Sequence, residues 1–329
     1  TEDAYFRKIN AEGGINGRKI TFISYDDAYT PPKTVEQARK LVESDEVLMI
    51  FNSLGTPPNS AIQKYMNQKK VPQLFVATGA TKWNDPKEYP WTMGWQPNYQ
   101  SESIIYAKYI LKNKPDARIA VLYQNDDYGK DYLKGFKDGL GAKAASMIVA
   151  EDSYEVTEPT IDSHIVRLKA SGADVFFNIT TPKFAAQAIK KNAELDWHPL
   201  HFLNNVSSSI GSVIKPAGFE AAQGIVSSQY LKDPTDPQWK TDKGMIAWNQ
   251  FLDKYYPEAN RADASVMYAY TVAQGLEHVL RACGDNLTRE NIMKQAASLQ
   301  DFRTEVLLPG IKINTARSEE RRVGKECRS

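Results

Sequence analysis

Val71-Pro72-Gln73-Leu74-Phe75-Val76-Ala77-Thr78-Gly79-Ala80-Thr81 is a short apolar run closed by small and hydroxyl residues around one glycine. The run has the length of a strand buried on both faces. Its end is where backbone N–H groups can be turned toward a ligand. Val47 to Asn59 repeats the design: VLMIF, then NSLGTPPN, then a helical pattern. Two strands that end in Ser/Thr/Gly loops, one helix apart, read either as two ordinary βα turns or as two walls of one pocket.

The same alternation extends outward in both directions. Toward the amino end, Ala4, Tyr5 and Ile9 give residues 2–12 the apolar face of a helix. Gly13-Gly14 can end it, and Asn16-Gly17 suits a tight turn. ITFISYDD (20–27) then reads as a strand, and Thr30-Pro31 as the cap and first residue of a helix carrying Val35, Ala38, Leu41 and Val42. Toward the carboxyl end, residues 79–99 read as a long loop. Strands are expected at 118–123, 146–150, 174–179, 200–204 and 224–228. Helices are expected at 101–112, 129–140, 160–171, 182–195 and 207–217, followed by a largely helical remainder over 238–298.

Alternating strands and helices at this spacing imply parallel sheets covered by helices on both faces. The near-continuous apolar strands fit that arrangement. Ligands of such sheets sit outside the carboxyl ends of the strands. Those ends are Asn52-Ser53, Thr78-Gly79, Gln124-Asn125, Thr180-Thr181, Asn204-Asn205 and Ser227-Ser228, and all of them are small or polar.

Composition excludes several classes. The 329 residues allow two domains with full cores, and 42% hydrophobic with 25% charged residues is ordinary for a globular chain. Lys and Arg number 41 against 40 Asp and Glu. That balance leaves no electrostatic footprint for nucleic acid and no polybasic membrane face. No apolar run approaches a membrane span. No signal peptide begins at Thr1, so a secretory leader is either removed or lies outside the given stretch. Cys283 and Cys327 make neither a disulfide framework nor a metal site.

Catalytic motifs are missing. There is no G-x-G-x-x-G after a strand, no P-loop spacing at Gly129-Lys130 and no G-x-S-x-G elbow. His198 and His201 read as a surface pair short of metal ligands. Asp26-Asp27 and Asp126-Asp127 read as solvated capping residues more readily than as acid–base dyads. No catalytic residue, metal site or cofactor is expected. What remains is a polar rim with aromatic residues. The rings of Tyr128 and Tyr230 could cover a ligand while their hydroxyls hydrogen-bond, or could simply pack. Ser53 and Thr78, with nearby helix N-terminal N–H groups, suit a carboxylate, or could serve as caps.

A family resemblance rests on NAEGGINGRKITFISYDD, TPPKTVEQARKLVESDEV, GTPPNSA, VPQLFVATGAT, YQNDDYGKDY and CGDNLTRENI, in that order. Together these resemble the substrate-binding proteins of ABC importers of the leucine/isoleucine/valine-binding type, the type I periplasmic binding proteins, over about residues 1–315. The resemblance is strongest to a branch of branched-chain amino acid binders, some of whose relatives take aromatic carboxylates. It implies an α/β fold of two Rossmann-like lobes with parallel sheets, joined by a three-crossover hinge. It also implies a non-enzymatic, monomeric binder of a small molecule, periplasmic or lipid-anchored outside the cytoplasm. Such a binder traps its ligand between the lobes and delivers it to the ABC permease subunits of the membrane. By motif, the ligand-binding residues would be Ser53, Leu54, Gly55 and Thr56; Ala77, Thr78, Gly79 and Ala80; Tyr128, on the family's Tyr-Gly step; and Thr181, Asn205 and Tyr230. The same fold also serves in ligand-sensing regulators of amides or amino acids, which is the alternative function.

On this pattern the expected segments are 1–97 (lobe 1), 98–228 (lobe 2), 229–306 (return to lobe 1), 307–316 (a truncated last crossover) and 317–329. Crossings are expected near Gln96–Tyr99, at Gln229–Tyr230 and after Leu308. Three departures from the family pattern stand out. Asn204-Asn205 occupy a strand end where an acid would neutralise a ligand ammonium, which points away from an α-amino acid. The family's opening strand and its loop have no counterpart here. The tail Arg317–Ser329, RSEERRVGKECRS, resembles a translated sequencing adapter rather than part of the fold.

Overall fold

The computed structural model describes residues 1–315, so the expectations for 317–329 and Cys327 lie outside the described residues. The chain divides into two compact units. One holds Thr1–Gln96, Tyr230–Arg261 and the residues from Ser265 on; the other holds Pro97–Gln229 and Ala262–Ala264. Residues 307–315 pair within the first unit, through the antiparallel bridges Leu231↔Leu307 and Phe302↔Ile313.

The first unit begins with α1 (Glu2–Ala11), which buries Ala4, Tyr5, Phe6 and Ile9. Gly13 and Gly14 follow at φ 102° and 77°. Asn16 and Gly17, at φ 50° and 75°, turn the chain so that Ile15 bridges Arg18. Positive φ at both central residues is what a two-residue hairpin turn requires. Then come α2 (Pro31–Arg39), which runs on through a π-helical turn at Lys40–Ser44, β1 (Ile50–Phe51), α3 (Thr56–Lys69), β2 (Gln73–Val76) and β3 (Thr92–Gly94). The strands form a parallel sheet in the order β1-β2-β3.

Two expectations for this unit need correction. Residues 79–99 are not loop throughout, since β3 lies within them; three residues are too few to carry a readable period. ITFISYDD enters no sheet. Among the described residues, the backbone N–H and C=O groups of residues 21–25 meet no hydrogen-bond partner. A strand needs a neighbouring edge, and the sheet ends at β1. Thr30 precedes α2 as expected, but its hydroxyl donates to the Asp27 carbonyl (2.9 Å) instead of capping.

β2 is strained. Phe75 takes φ 52°, rare for a bulky residue, and the β2–β3 register shifts between Gln73 and Val76. Asn52, also left-handed at φ 50°, donates from Nδ2 to the Phe75 carbonyl (2.6 Å). The buried Phe75 ring lies 4.6 Å from that of Trp95.

In the second unit, α4 (Tyr99–Asn113), β4 (Ile119–Gln124), α5 (Asp127–Leu140), α6 (Ala144–Met147), β5 (Ile148–Tyr154), α7 (Asp162–Ala170), β6 (Val175–Ile179), α8 (Pro182–Glu194) and β7 (Leu200–Leu203) succeed one another. The sheet is parallel throughout, in the order β5-β4-β6-β7. Strand order reverses at β4, which makes the carboxyl ends of β4 and β6 the natural crevice. The helix expected over 207–217 is broken into a 3-10 turn (Asn205–Ser207), a π-helical turn (Ile210–Ile214) and α9 (Lys215–Ala217). The strand expected at 224–228 reduces to one bridge, Phe202↔Val226.

α10 (Lys243–Tyr255), α11 (Ala264–Cys283) and α12 (Arg289–Ala296) complete the chain. Their apolar faces (Trp248, Phe251, Met267, Leu276, Ile292) join Phe6, Ile9 and Leu74 in the main core of the first unit. A second cluster there gathers Ala38, Ile50, Ile62, Met66 and Val71.

Candidate functional site

The strand-end rim of the first unit is built by β1 and β2 running past their last strand residues. Ala77 N–H donates to the Ser53 carbonyl (2.9 Å) and Gly55 N–H to the Ala77 carbonyl (3.2 Å), so both loops are held edge to edge. Gly55 has φ 94°, and a Cβ there would lie 2.3 Å from the Tyr29 ring. Ser53 Oγ donates to Asn59 Oδ1 (2.5 Å), and Asn59 Nδ2 returns to the Ser53 and Gly55 carbonyls (2.7 and 2.8 Å). Gln73 Nε2 also donates to Asn59 Oδ1 (2.8 Å). Thr56 and Thr78 share a hydrogen bond between their hydroxyls (2.5 Å), and Thr78 Oγ1 also accepts from Trp83 Nε1 (3.2 Å) and Ala80 N–H (3.3 Å).

The hydroxyls are therefore largely tied into the loops. The expectation that Ser53 offers its proton to a ligand is corrected, because Asn59 already takes that proton. The available groups are backbone donors. Helix α3 starts with Pro57 and Pro58, which have no N–H, and Asn59 N–H goes to the Gly55 carbonyl (3.1 Å). Among the described residues, the N–H groups of Leu54, Thr56 and Gly79 meet no partner. The Leu54 side chain is 66% exposed, while Ala77, Thr78 and Ala80 are buried. Lys82, which motif reasoning missed, brings an ammonium beside this rim. Its Nζ donates to Ser60 Oγ (3.0 Å) and lies 5.5 Å over the Trp83 ring. Its place two residues after Ala80 was the available signal. Tyr230, also in this unit, packs partly buried against the main core and accepts Leu308 N–H at its carbonyl (3.0 Å).

In the second unit, Asp126 caps α5 by accepting from Tyr128 N–H (2.9 Å) and Gly129 N–H (3.3 Å), so the adjacent aspartates include a true cap. Thr181 N–H donates to Tyr154 Oη (3.0 Å), and Thr181 Oγ1 and Tyr154 Oη both donate to Gln124 Oε1 (3.2 and 3.0 Å). That knot joins the ends of β4, β5 and β6. The Tyr128 ring packs on Tyr99 and Tyr132, with centroids 5.3 and 5.5 Å away. Its hydroxyl donates to the Thr180 carbonyl (3.1 Å) and accepts from Asn204 Nδ2. A phenol has one proton, so Tyr128 has none left for a ligand, which corrects the expected hydroxyl contact.

Asn205 directs its side chain to the Ser228 carbonyl (2.6 Å) and Gln229 Oε1 (3.1 Å), and its N–H donates to Glu102 Oε1 (2.7 Å). An acid therefore does sit at this strand end, supplied by α4 and not by the Asn204-Asn205 loop. Glu102 is buried and also accepts from Tyr106 Oη (2.8 Å) and Tyr132 Oη (2.8 Å). Burial pushes its carboxyl above the usual range, against the lowering effect of these donors. Glu102 and Tyr106, four apart in SESIIY, were the readable sign of this pair.

The histidines are not a surface pair. His198 is exposed against Asp196 (2.8 Å). His201 is buried beside Asn178 (3.2 Å), and burial drives its imidazole down to about 3. No group of three or more His, Cys, Asp or Glu side chains among the described residues could hold a metal ion. No helix among them is long and apolar enough to cross a membrane.

Comparison with known proteins places this arrangement. The profile of one family, described as periplasmic binding protein, matches residues 1–324. A Leu/Ile/Val-binding protein homolog 2 of Brucella abortus is 25% identical over 292 residues, covering 86% of this chain and 73% of that protein. A substrate-binding periplasmic protein from Ralstonia solanacearum superposes with a TM-score of 0.83 at 22% identity, over 95% of this chain and 86% of the other. A branched-chain amino acid ABC transporter protein from Thermus thermophilus, solved with bound valine, gives 0.83 at 15% identity over 96% and 83%. These solved structures share the fold, with parallel sheets and flanking helices.

Proposed function

Because this chain belongs to the periplasmic binding protein family, whose members bind solutes and are not enzymes, we propose that it captures a small carboxylate-bearing ligand for an ABC importer outside the cytoplasm. Hydrophobic amino acids and aromatic carboxylates are the two ligand classes in view. The monomeric, periplasmic or lipid-anchored state and the membrane permease partner belong to the same reading.

The observation that carries the ligand chemistry is the set of unpartnered N–H groups of Leu54, Thr56 and Gly79, on two loops held edge to edge by the Ser53–Ala77 and Gly55–Ala77 hydrogen bonds. Backbone donors fixed in place take an anion without reorganisation, and such bonds are among the stronger ones. The Lys82 ammonium adds positive charge at the same rim. Ser53, Leu54 and Gly55 with Ala77, Thr78 and Ala80 shape the loops around those donors. In the second unit, Thr181, Asn205 and Tyr128 keep the strand ends rigid through their internal bonds, and any ligand contact they make is through their remaining acceptors.

The test is calorimetry of the 329-residue chain with leucine, isoleucine, valine, benzoate and cinnamate, each paired with the carboxamide that replaces its carboxylate. At least one acid should bind, and its amide should bind at least about tenfold more weakly, the loss expected when one charge-assisted hydrogen bond goes. An amide that binds as well as its acid would overturn carboxylate recognition. An acid that binds to a protein with a Lys82→Met change as tightly as to the unchanged one would remove the ammonium from the account.

A further inference from the structure

In the second unit, the connection from β5 to α7 gathers charged groups around one buried ring. His164, in the first turn of α7, has a side chain only 9% exposed. Its Nε2 lies 2.9 Å from Glu158 Oε2. Its Nδ1 lies 2.8 Å from Arg167 Nη2 and 3.1 Å from Asp152 Oδ2. Arg167 in turn donates to Asp152 Oδ2 from Nη2 (2.6 Å) and Nε (2.8 Å). Glu158 has a second task. Its Oε1 accepts Glu155 N–H (2.8 Å) and its own N–H donates to the Glu155 carbonyl (3.0 Å), so residues 155–158 form a closed turn. The Glu155 N–H, and after it the His164 ring, hold the Glu158 carboxyl below the usual carboxylate range. The other elements packed on α7 direct their groups elsewhere. β4 presents Ala120 and Leu122 to this side, while α8 sends Lys191 to Asp162 (3.6 Å) and Gln187 Nε2 to the Pro159 carbonyl (3.2 Å).

We propose that His164 is a proton-operated latch: on taking a proton from solvent, its ring swaps Arg167 for Asp152 and fastens the 155–158 turn to β5. A neutral imidazole has one N–H and one lone pair. An ionised Glu158 can only accept, so the N–H sits on Nε2, and the Nδ1 lone pair accepts from Arg167. The distances favour this arrangement, since Nδ1 is nearer to Arg167 than to Asp152. A protonated ring carries two N–H groups. Nδ1–H and the Arg167 Nη2–H then meet donor to donor, and the acceptor within reach of Nδ1 is Asp152 Oδ2. Arg167 is the partner that can leave, because its side chain is 56% exposed and its guanidinium regains water. The ring becomes a cation held between two carboxylates, one on β5 and one on the turn, by bonds of the strong charge-assisted class. The turn leaves the carboxyl end of β5, beside the knot of Tyr154, Gln124 and Thr181. Asn125 Nδ2 also donates to Glu155 Oε1 (2.6 Å), so the latch acts on the strand-end rim of this unit. The inference does not depend on the ligand proposed above.

Nitrogen NMR and hydrogen exchange on the 329-residue chain test it between about pH 8 and pH 5, the span in which imidazoles change charge. The His164 ring signals are identified by their loss in His164→Asn and their displacement in Glu158→Gln. At the alkaline end, the ring should carry its proton on Nε2 and none on Nδ1. At the acid end both nitrogens should be protonated, and the Arg167 Nε–H should approach the water-exchange rate of a free arginine. Over the same change, the Glu155 and Glu158 amides should gain at least about fivefold in protection relative to the unfolded chain at each pH, the gain of one charge-assisted bond. His164→Asn and Glu158→Gln should each flatten that response. Glu158 is 32% exposed, so its variant keeps the test open should the buried substitution not fold. A proton on Nδ1 at the alkaline end would place the ring on Asp152 from the start and overturn the swap. Protection that stays level or falls toward acid would overturn the latch. An undiminished response in either variant would assign the pH dependence to another group and overturn it as well.

Discussion

His201 should govern the acid side of the stability curve. Folded, its imidazole stays neutral down to about pH 3; unfolded, it takes a proton near its ordinary value of 6.5. Unfolding therefore binds an extra proton between these values, and stability falls as pH drops from 6.5 toward 3, by up to about 1.4 kcal/mol per pH unit. Urea titrations across that range should show a shallower acid limb for His201→Gln, which keeps an acceptor for the Asn178 amide. A second prediction concerns Gly129, where a Cβ would lie 2.0 Å from the Gln124 carbonyl oxygen. Gly129→Ala should cost about 3 kcal/mol, the upper range for overpacking, read as a lowered urea midpoint with an unchanged m-value. At this scale the sequence was only partly readable. Tyr128 beside Gly129 was visible as a pair, but the direction of its hydroxyl depends on Thr180 and Asn204, distant in the chain. For the buried Glu102 the spacing to Tyr106 was readable, but its burial was not, because burial is a property of the packed unit.

Elements were more legible where one short-range cause fixes them. The Asn16-Gly17 turn, the Pro31 start of α2 and the strands of the second unit follow from dihedral preference and apolar run length. Residues 20–27 have the pattern of a strand yet lack a partner, because pairing is decided by what lies beside a segment and not within it. The left-handed Phe75 was equally unreadable, since its carbonyl and its ring meet Asn52 and Trp95, both distant in the sequence. Helix α5 offers the clean test of local cause. Asp126→Ala removes the acceptor of two first-turn N–H groups and should lower stability by about 1 kcal/mol, measured by thermal or urea unfolding. Asp126→Asn should recover most of the loss.

At the scale of the whole molecule, the alternation of strand and helix was enough to imply parallel sheets, and both sheets are parallel. A solute binder should also respond to its ligand as a whole. At a ligand concentration one hundred times Kd, the native state should gain about 2.7 kcal/mol, seen as a concentration-dependent rise in Tm. A consequence for selectivity follows from Pro57 and Pro58. Most helix amino ends present a cluster of N–H groups that welcomes any oxyanion. Two imino residues thin that cluster here, leaving Leu54 and Thr56 N–H on one loop and Gly79 N–H on the other. So sparse a set of donors suits the two oxygens of a planar carboxylate better than the tetrahedral oxygens of sulfate or phosphate, whose desolvation would be less fully compensated. Millimolar sulfate or phosphate should therefore leave the ligand isotherm unshifted, and restoring an N–H with Pro57→Ala should let these anions begin to compete.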